Sequence, residues 1–130
     1  MQQIPPVDLT RQYQLIKEEA DSAVLEILNS GRYIGGEAIA SFEREFSSYI
    51  GVQECVSCNS GTDALFLALL ALNIGSGDEV ITTPFSFFAT AEVITRVGAK
   101  PVFVDIDPAT FNLDLAQIEQ AITSQTKAII

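Results

Sequence analysis

Apolar residues recur three and four apart between positions 10 and 28, at Ile16, Ala20, Ala23, Val24, Ile27 and Leu28. Lys17, Glu18, Glu19 and Glu26 fall largely off that stripe, which is the pattern of an amphipathic helix. Gly31 is placed to close it as a C-cap, after a Pro-rich, extended start over residues 1–9. A loop, Arg32-Tyr33-Ile34-Gly35-Gly36, leads into a second helical stripe over 37–49. Ile39, Phe42, Phe46, Tyr49 and Ile50 share one face there, and Gly51 ends it. Neither helix has a long strand beside it in sequence, so both are expected on the outside of something larger.

From Glu54 the period changes to alternating strands and helices. Strands are predicted at 54–58, 79–82, 101–105 and 127–130, and helices at 62–72, 87–97 and 115–122. Val80, Ile81, Val102, Phe103 and Val104 are continuous apolar runs, as in strands covered on both faces. Gly75-Ser76-Gly77-Asp78 and Asp107-Pro108 are turns. Asp114-Leu115-Ala116-Gln117 predicts a capping box. The expected fold is α/β, a mostly parallel sheet with helices on both faces. Residues 1–53 form an N-terminal helical segment, and 54–130 the first part of an α/β domain. The chain stops on Ala128-Ile129-Ile130, inside an apparent core strand, and the expectation is a portion of a longer protein.

Composition narrows the function classes. The 130 residues are 48% hydrophobic and 18% charged, enough for one packed domain and unlike a disordered chain. A formal charge of −10 with no histidine argues against a nucleic-acid surface and removes His-dependent catalysis and His-ligated metal. No basic region precedes an apolar one at the N-terminus, and the run 64–72 is too short to span a bilayer. The expected location is cytoplasmic. Cys55 and Cys58 form a C-x-x-C, but no second ligand pair exists. Positions three apart on a strand face opposite ways, so two buried free thiols are expected.

The candidate chemistry lies in Cys58-Asn59-Ser60-Gly61-Thr62-Asp63-Ala64-Leu65. A strand, a small polar turn and a helix leave unpaired N–H groups at the helix start, which suit a phosphate. Gly61 removes a Cβ that would hold an anion off the backbone, and Ser60 and Thr62 offer hydroxyls. An ordinary N-cap explains the same residues. Both readings stay open on these residues alone.

Taken together, Ser60-Gly61-Thr62-Asp63-Ala64-Leu65, Gly75-Ser76-Gly77-Asp78-Glu79-Val80-Ile81, Thr83-Pro84-Phe85-Ser86-Phe87-Phe88-Ala89-Thr90-Ala91 and Phe103-Val104-Asp105-Ile106-Asp107 resemble, in this order, the DegT/DnrJ/EryC1/StrS family. Ile4-Pro5-Pro6-Val7-Asp8-Leu9 and Ser30-Gly31-Arg32-Tyr33-Ile34-Gly35-Gly36 are similar to that family too. Its members are pyridoxal-phosphate (PLP) enzymes of the aspartate-aminotransferase fold, fold type I. Most transaminate nucleotide-linked keto sugars, with an amino donor such as glutamate and pyridoxamine phosphate formed during turnover. The resemblance implies a homodimer and only the first part of the large domain here.

The same resemblance implies the roles of particular residues. Gly61 and Thr62 donate N–H groups to the cofactor phosphate, with Ser60 and the Asp63 amide close by. Phe87 aligns with the aromatic residue that stacks on the pyridine ring; the residues by themselves also allow Phe85, Phe87 and Phe88 all to be core ahead of a helix, and Phe85 and Phe88 are expected there. Arg32, Tyr33 and Gly35 lie near the dimer interface and the sugar-nucleotide entrance, where Arg32 can meet a diphosphate or simply solvent. The family's Schiff-base lysine, pyridine-nitrogen carboxylate and last phosphate-cup hydroxyl fall beyond Ile130. Lys17, Lys100 and Lys127 match none of them, and Asp105 is expected at a strand-end turn instead. No catalytic residue and no metal site is therefore expected in this chain. A pyridoxamine-phosphate-dependent sugar dehydratase of the same family, and a non-catalytic phosphate-binding or interaction module, are the alternatives.

Overall fold

Pairing between distant segments begins at the strand Glu79–Thr82, around which the C-terminal part of the chain is built. The computed structural model describes residues 5–130, so the expectation for positions 1–4 lies outside the described residues. Eight elements run in the order α1 (Leu9–Ser30), α2 (Glu37–Ile50), α3 (Gly61–Ala71), β1 (Glu79–Thr82), α4 (Phe88–Arg96), β2 (Lys100–Phe103), α5 (Leu115–Ala121) and β3 (Thr126–Ile129). They fall into two compact units, one reaching to Val56 and the other Ser57–Ile130.

In the first unit, the Asp8 carboxylate accepts the Arg11 N–H at 3.0 Å and starts α1. Gly31 (φ +67°) and Gly51 (φ +79°) end α1 and α2 in left-handed conformations, which cost glycine least. Phe42 and Phe46 stack at 5.5 Å between ring centroids. No residue of either helix is buried. The stripe of Ile39, Phe42, Phe46 and Ile50 is about half-exposed, as expected for helices that contribute little core of their own.

In the second unit the strand order is β2-β1-β3, all parallel. Val80, Ile81 and Thr82 on the central β1 are fully buried. Leu69, Ile74, Val80, Val93, Ile94 and Ala99 form the core, with α4 packed against α3, β1 and β2. At the N-terminal end of the sheet, Glu79 ties three segments together. Its carboxylate accepts Lys100 Nζ at 2.8 Å and the Thr123 hydroxyl at 2.7 Å. The side chain is nearly buried, and those bonds, the Lys100 one first, hold its pKa below the ordinary value.

Several expectations are corrected. Residues 54–58 form no strand: among the described residues none of the strands pairs with them, and a lone strand has no partner for its backbone groups. The thiols there are free but not buried: Cys55 is half-buried, and exposed Cys58 donates its S–H to the Ser60 carbonyl at 3.3 Å. Burial on both faces holds for β1 only. β2 and β3 are the two edges, and Phe103 and Ile129 are about half-exposed. β2 begins one residue before the predicted 101, so Lys100 is its first residue, and Lys127 lies within β3 as predicted.

The capping box is also rearranged. The Asp114 carboxylate accepts the Ala116 N–H at 2.9 Å, and Gln117 Nε2 donates to its other oxygen at 2.9 Å. Gln117 Oε1 accepts the Asp105 N–H instead, and the Asp114 N–H goes to the Asp105 carbonyl. The strand end thus takes the bonds that an isolated helix start would have kept for itself.

Candidate functional site

The turn before α3 is built locally. Ser60 is extended (φ −157°, ψ 156°), and its hydroxyl oxygen accepts the Asp63 N–H at 3.1 Å, a conventional N-cap. The Ser60 carbonyl accepts from Ala64 N–H at 3.0 Å and so begins the helical ladder. Two donors remain between them. Among the described residues, no acceptor is paired with the N–H of Gly61 or of Thr62. A Cβ added to Gly61 would meet nothing within 4 Å, so the space before the turn is open. The N-cap and anion readings are therefore compatible: the cap takes the Asp63 amide and leaves the two earlier amides aligned with the positive end of the helix dipole.

The charge beside this turn is not the bare carboxylate that the sequence shows. Arg96, the last residue of α4, places Nη1 4.0 Å from Asp63 Oδ1. Its guanidinium carbon lies 4.3 Å from the Phe66 ring centroid. Contacts of these two kinds contribute roughly 0–1 and 0.5–1 kcal/mol when partly exposed. Nothing in the sequence pointed to Arg96, because its partners lie on another helix. Only its place in the last turn of α4, favourable for a cation, was visible.

The C-terminal end of the sheet opens into a depression of about 530 Å³. Leu65, Thr82, Thr83, Ser86, Thr90 and Asn112 are among its lining residues. Thr82 is fully buried, and among the described residues its hydroxyl has no hydrogen-bond partner. The loop 107–114 forms part of the wall. There the Asp107 carboxylate accepts the Thr110 N–H at 2.8 Å, the Thr110 hydroxyl and the Ala109 N–H at 3.0 Å each. Those donors lower its pKa. Phe111, left-handed at φ +59°, stacks on Phe85 at 5.9 Å.

Phe87 caps α4 without a side-chain bond and is 79% exposed, an uncovered aromatic face. Phe85 and Phe88, expected in the core, are 63% and 74% exposed. This corrects that reading: after β1 the residues 84–88 are all exposed, and the next buried residue is Ala89. Asp105 is exposed and accepts its neighbour Ile106's N–H at 2.8 Å, a strand-end turn. In the first unit, Arg32 lines a depression of about 470 Å³ with Glu26, Ser30 and Glu37. Tyr33 donates its hydroxyl to the Leu28 carbonyl at 3.2 Å. Among the described residues no group of three or more His, Cys, Asp or Glu is placed to hold a metal, and no helix is long and apolar enough to cross a membrane.

Comparison with known proteins decides what the turn is part of. Residues 14–130 match the DegT/DnrJ/EryC1/StrS aminotransferase family. The chain belongs to that family. This DegT/DnrJ/EryC1/StrS chain is 49% identical over 98% of its length to the pleiotropic regulatory protein of Geobacillus stearothermophilus. It is 47% identical over 95% of its length to a UDP-2-acetamido-2-deoxy-3-oxo-D-glucuronate aminotransferase of Pseudomonas aeruginosa. It covers 34% of each of those proteins, so the chain spans about a third of the length of the curated relatives it matches. Among solved structures, DesV of S. venezuelae, in complex with a ketimine intermediate, superposes with a TM-score of 0.95 at 39% identity, over 99% of this chain and 35% of that one. The parallel sheet and its helices are thus a portion of the fold type I aminotransferase architecture.

A PLP phosphate fits the residues of the turn. It needs close approach to backbone donors, and the open space at Gly61 with the unpaired N–H groups of Gly61 and Thr62 provides it. The anion would gain on the order of 0.3–1 kcal/mol from the dipole, up to roughly 2 when partly buried, so further contacts must share the binding.

Proposed function

We propose that this chain supplies the phosphate turn and one face of the ring slot in a PLP-dependent aminotransferase acting on nucleotide-linked keto sugars. The unpaired amides at Gly61 and Thr62, before open space at a capped helix start, carry the reading. When bound, the cofactor supplies an electron sink for amino transfer. Gly61 and Thr62 would bind its phosphate through their N–H groups, while Ser60, with the Asp63 amide in its cap, holds the turn in shape. Exposed Phe87 would cover one face of the pyridine ring and keep water from it. Arg32 and Tyr33 would meet the sugar nucleotide. The amino donor, glutamate for example, and the partner subunit of a homodimer belong to the same reading, as do a cytoplasmic location and the residue ranges 1–53 and 54–130 for the two segments.

No residue of this chain is given a catalytic role. Lys17 pairs with Asp21 on α1, Lys100 pairs with Glu79 at the N-terminal end of the sheet, and Lys127 lies in β3. The test is to titrate the natural gene product with PLP, then supply glutamate and a nucleotide-linked keto sugar. Saturable binding with formation of the amino sugar is expected. An absence of PLP binding would overturn the proposal.

A further inference from the structure

We infer that Arg96 is a positioning residue for the anion turn, one that neutralises the Asp63 carboxylate beside the N–H groups of Gly61 and Thr62. The inference rests on the phosphate reading proposed above. Asp63 lies in the first turn of α3, where a carboxylate favours the helix but repels any anion brought to the same donors. A residue that suits the fold there opposes the ligand. Arg96 removes the conflict: its guanidinium sits 4.0 Å from the carboxylate and 4.3 Å from the Phe66 centroid.

The seat has two points. Asp63 and Phe66 are three apart on one helix and share a face, so a planar cation can pair with one while lying over the other. A lysine would meet the carboxylate but not reproduce the stacked, forked geometry. The Asp63 backbone is already held by Ser60, which leaves the side-chain charge as the variable that Arg96 controls. Among the described residues no other cation pairs with Asp63.

The experiment is an equilibrium titration of the natural gene product with PLP by fluorescence, with inorganic phosphate as competitor. Arg96→Gln should weaken both by about threefold to tenfold, and Arg96→Lys by less. Asp63→Asn should tighten both by up to about threefold, since it leaves the guanidinium uncompensated. The double variant Arg96→Gln/Asp63→Asn should return to within about twofold of wild type. A purely structural role for Arg96 predicts no such rescue, so failed rescue, or an Arg96→Gln protein that binds like wild type, overturns the inference. Should Arg96→Gln not fold, unchanged affinity in Asp63→Asn does the same. Wild-type protein that binds neither ligand overturns the proposed function together with this inference. Wild-type binding without any charge effect removes Arg96 alone.

Discussion

Ser60 Oγ accepts the Asp63 N–H at 3.1 Å, and this single bond separates the amides at the start of α3 into one that serves the helix and two that do not. The division lets a helix cap and the proposed anion site share the same residues. Losing the cap should therefore be felt first as stability. Ser60→Ala is expected to lower stability by about 0.5–2 kcal/mol, read as an earlier midpoint in urea unfolding.

Gly61 leaves open space where a side chain would stand, and its φ is not left-handed, so the backbone itself does not demand a glycine there. Gly61→Val should leave the melting temperature within the scatter of a surface change, about ±0.5 kcal/mol. Affinity for PLP should fall at least about tenfold, because the side chain would occupy the approach to the amides. Circular dichroism melts paired with PLP titration separate the two effects.

Phe87 packs little within this chain, so Phe87→Ala should hardly change unfolding. If its ring covers the cofactor, the loss of about 0.5–1.5 kcal/mol of aromatic contact lowers PLP affinity roughly twofold to tenfold. Phe85→Ala, by contrast, should loosen the loop that carries Phe111. Comparing PLP titrations of the two variants tests the assignment to Phe87.

Ile81 is fully buried at the centre of β1. Ile81→Ala should destabilise by about 2–5 kcal/mol, enough to unfold much of a marginal domain at ambient temperature. Urea denaturation followed by far-ultraviolet dichroism measures it.

Acid should weaken the sheet from its N-terminal end. The folded pKa of Glu79 is depressed by Lys100 and then Thr123. Its contribution is therefore full above the unfolded value, about 4.3, and is lost as pH falls through the lower folded value. Asp107 and Asp114 shift the same way, the first through the Thr110 N–H and the second through Gln117. The urea midpoint should fall between about pH 5 and pH 3, and Glu79→Gln should flatten that fall.

Where the expectations held, the cause was short-range. The stripes of α1 and α2, their glycine ends and the buried run of β1 follow from spacing and backbone preference within a few residues. Ser60-Gly61-Thr62 could be recognised for the same reason, since a cap and a bare helix start are made by neighbours. Where they failed, a distant partner was missing or unforeseen. Residues 54–58 have strand character but no ladder, and Phe85 and Phe88 have core character but no cover. Gln117 had two acceptable donors, and the nearby strand end took its carbonyl oxygen.

Order along the chain was sufficient for the element types, the parallel α/β class and the turn that offers its amides, because periodicity and capping act over one or two helical turns. The central place of β1 between β2 and β3, the Glu79 knot, and the arginine that answers Asp63 came from folding in space. Those contacts join residues far apart in the chain, and no local preference encodes which of many compatible partners will arrive.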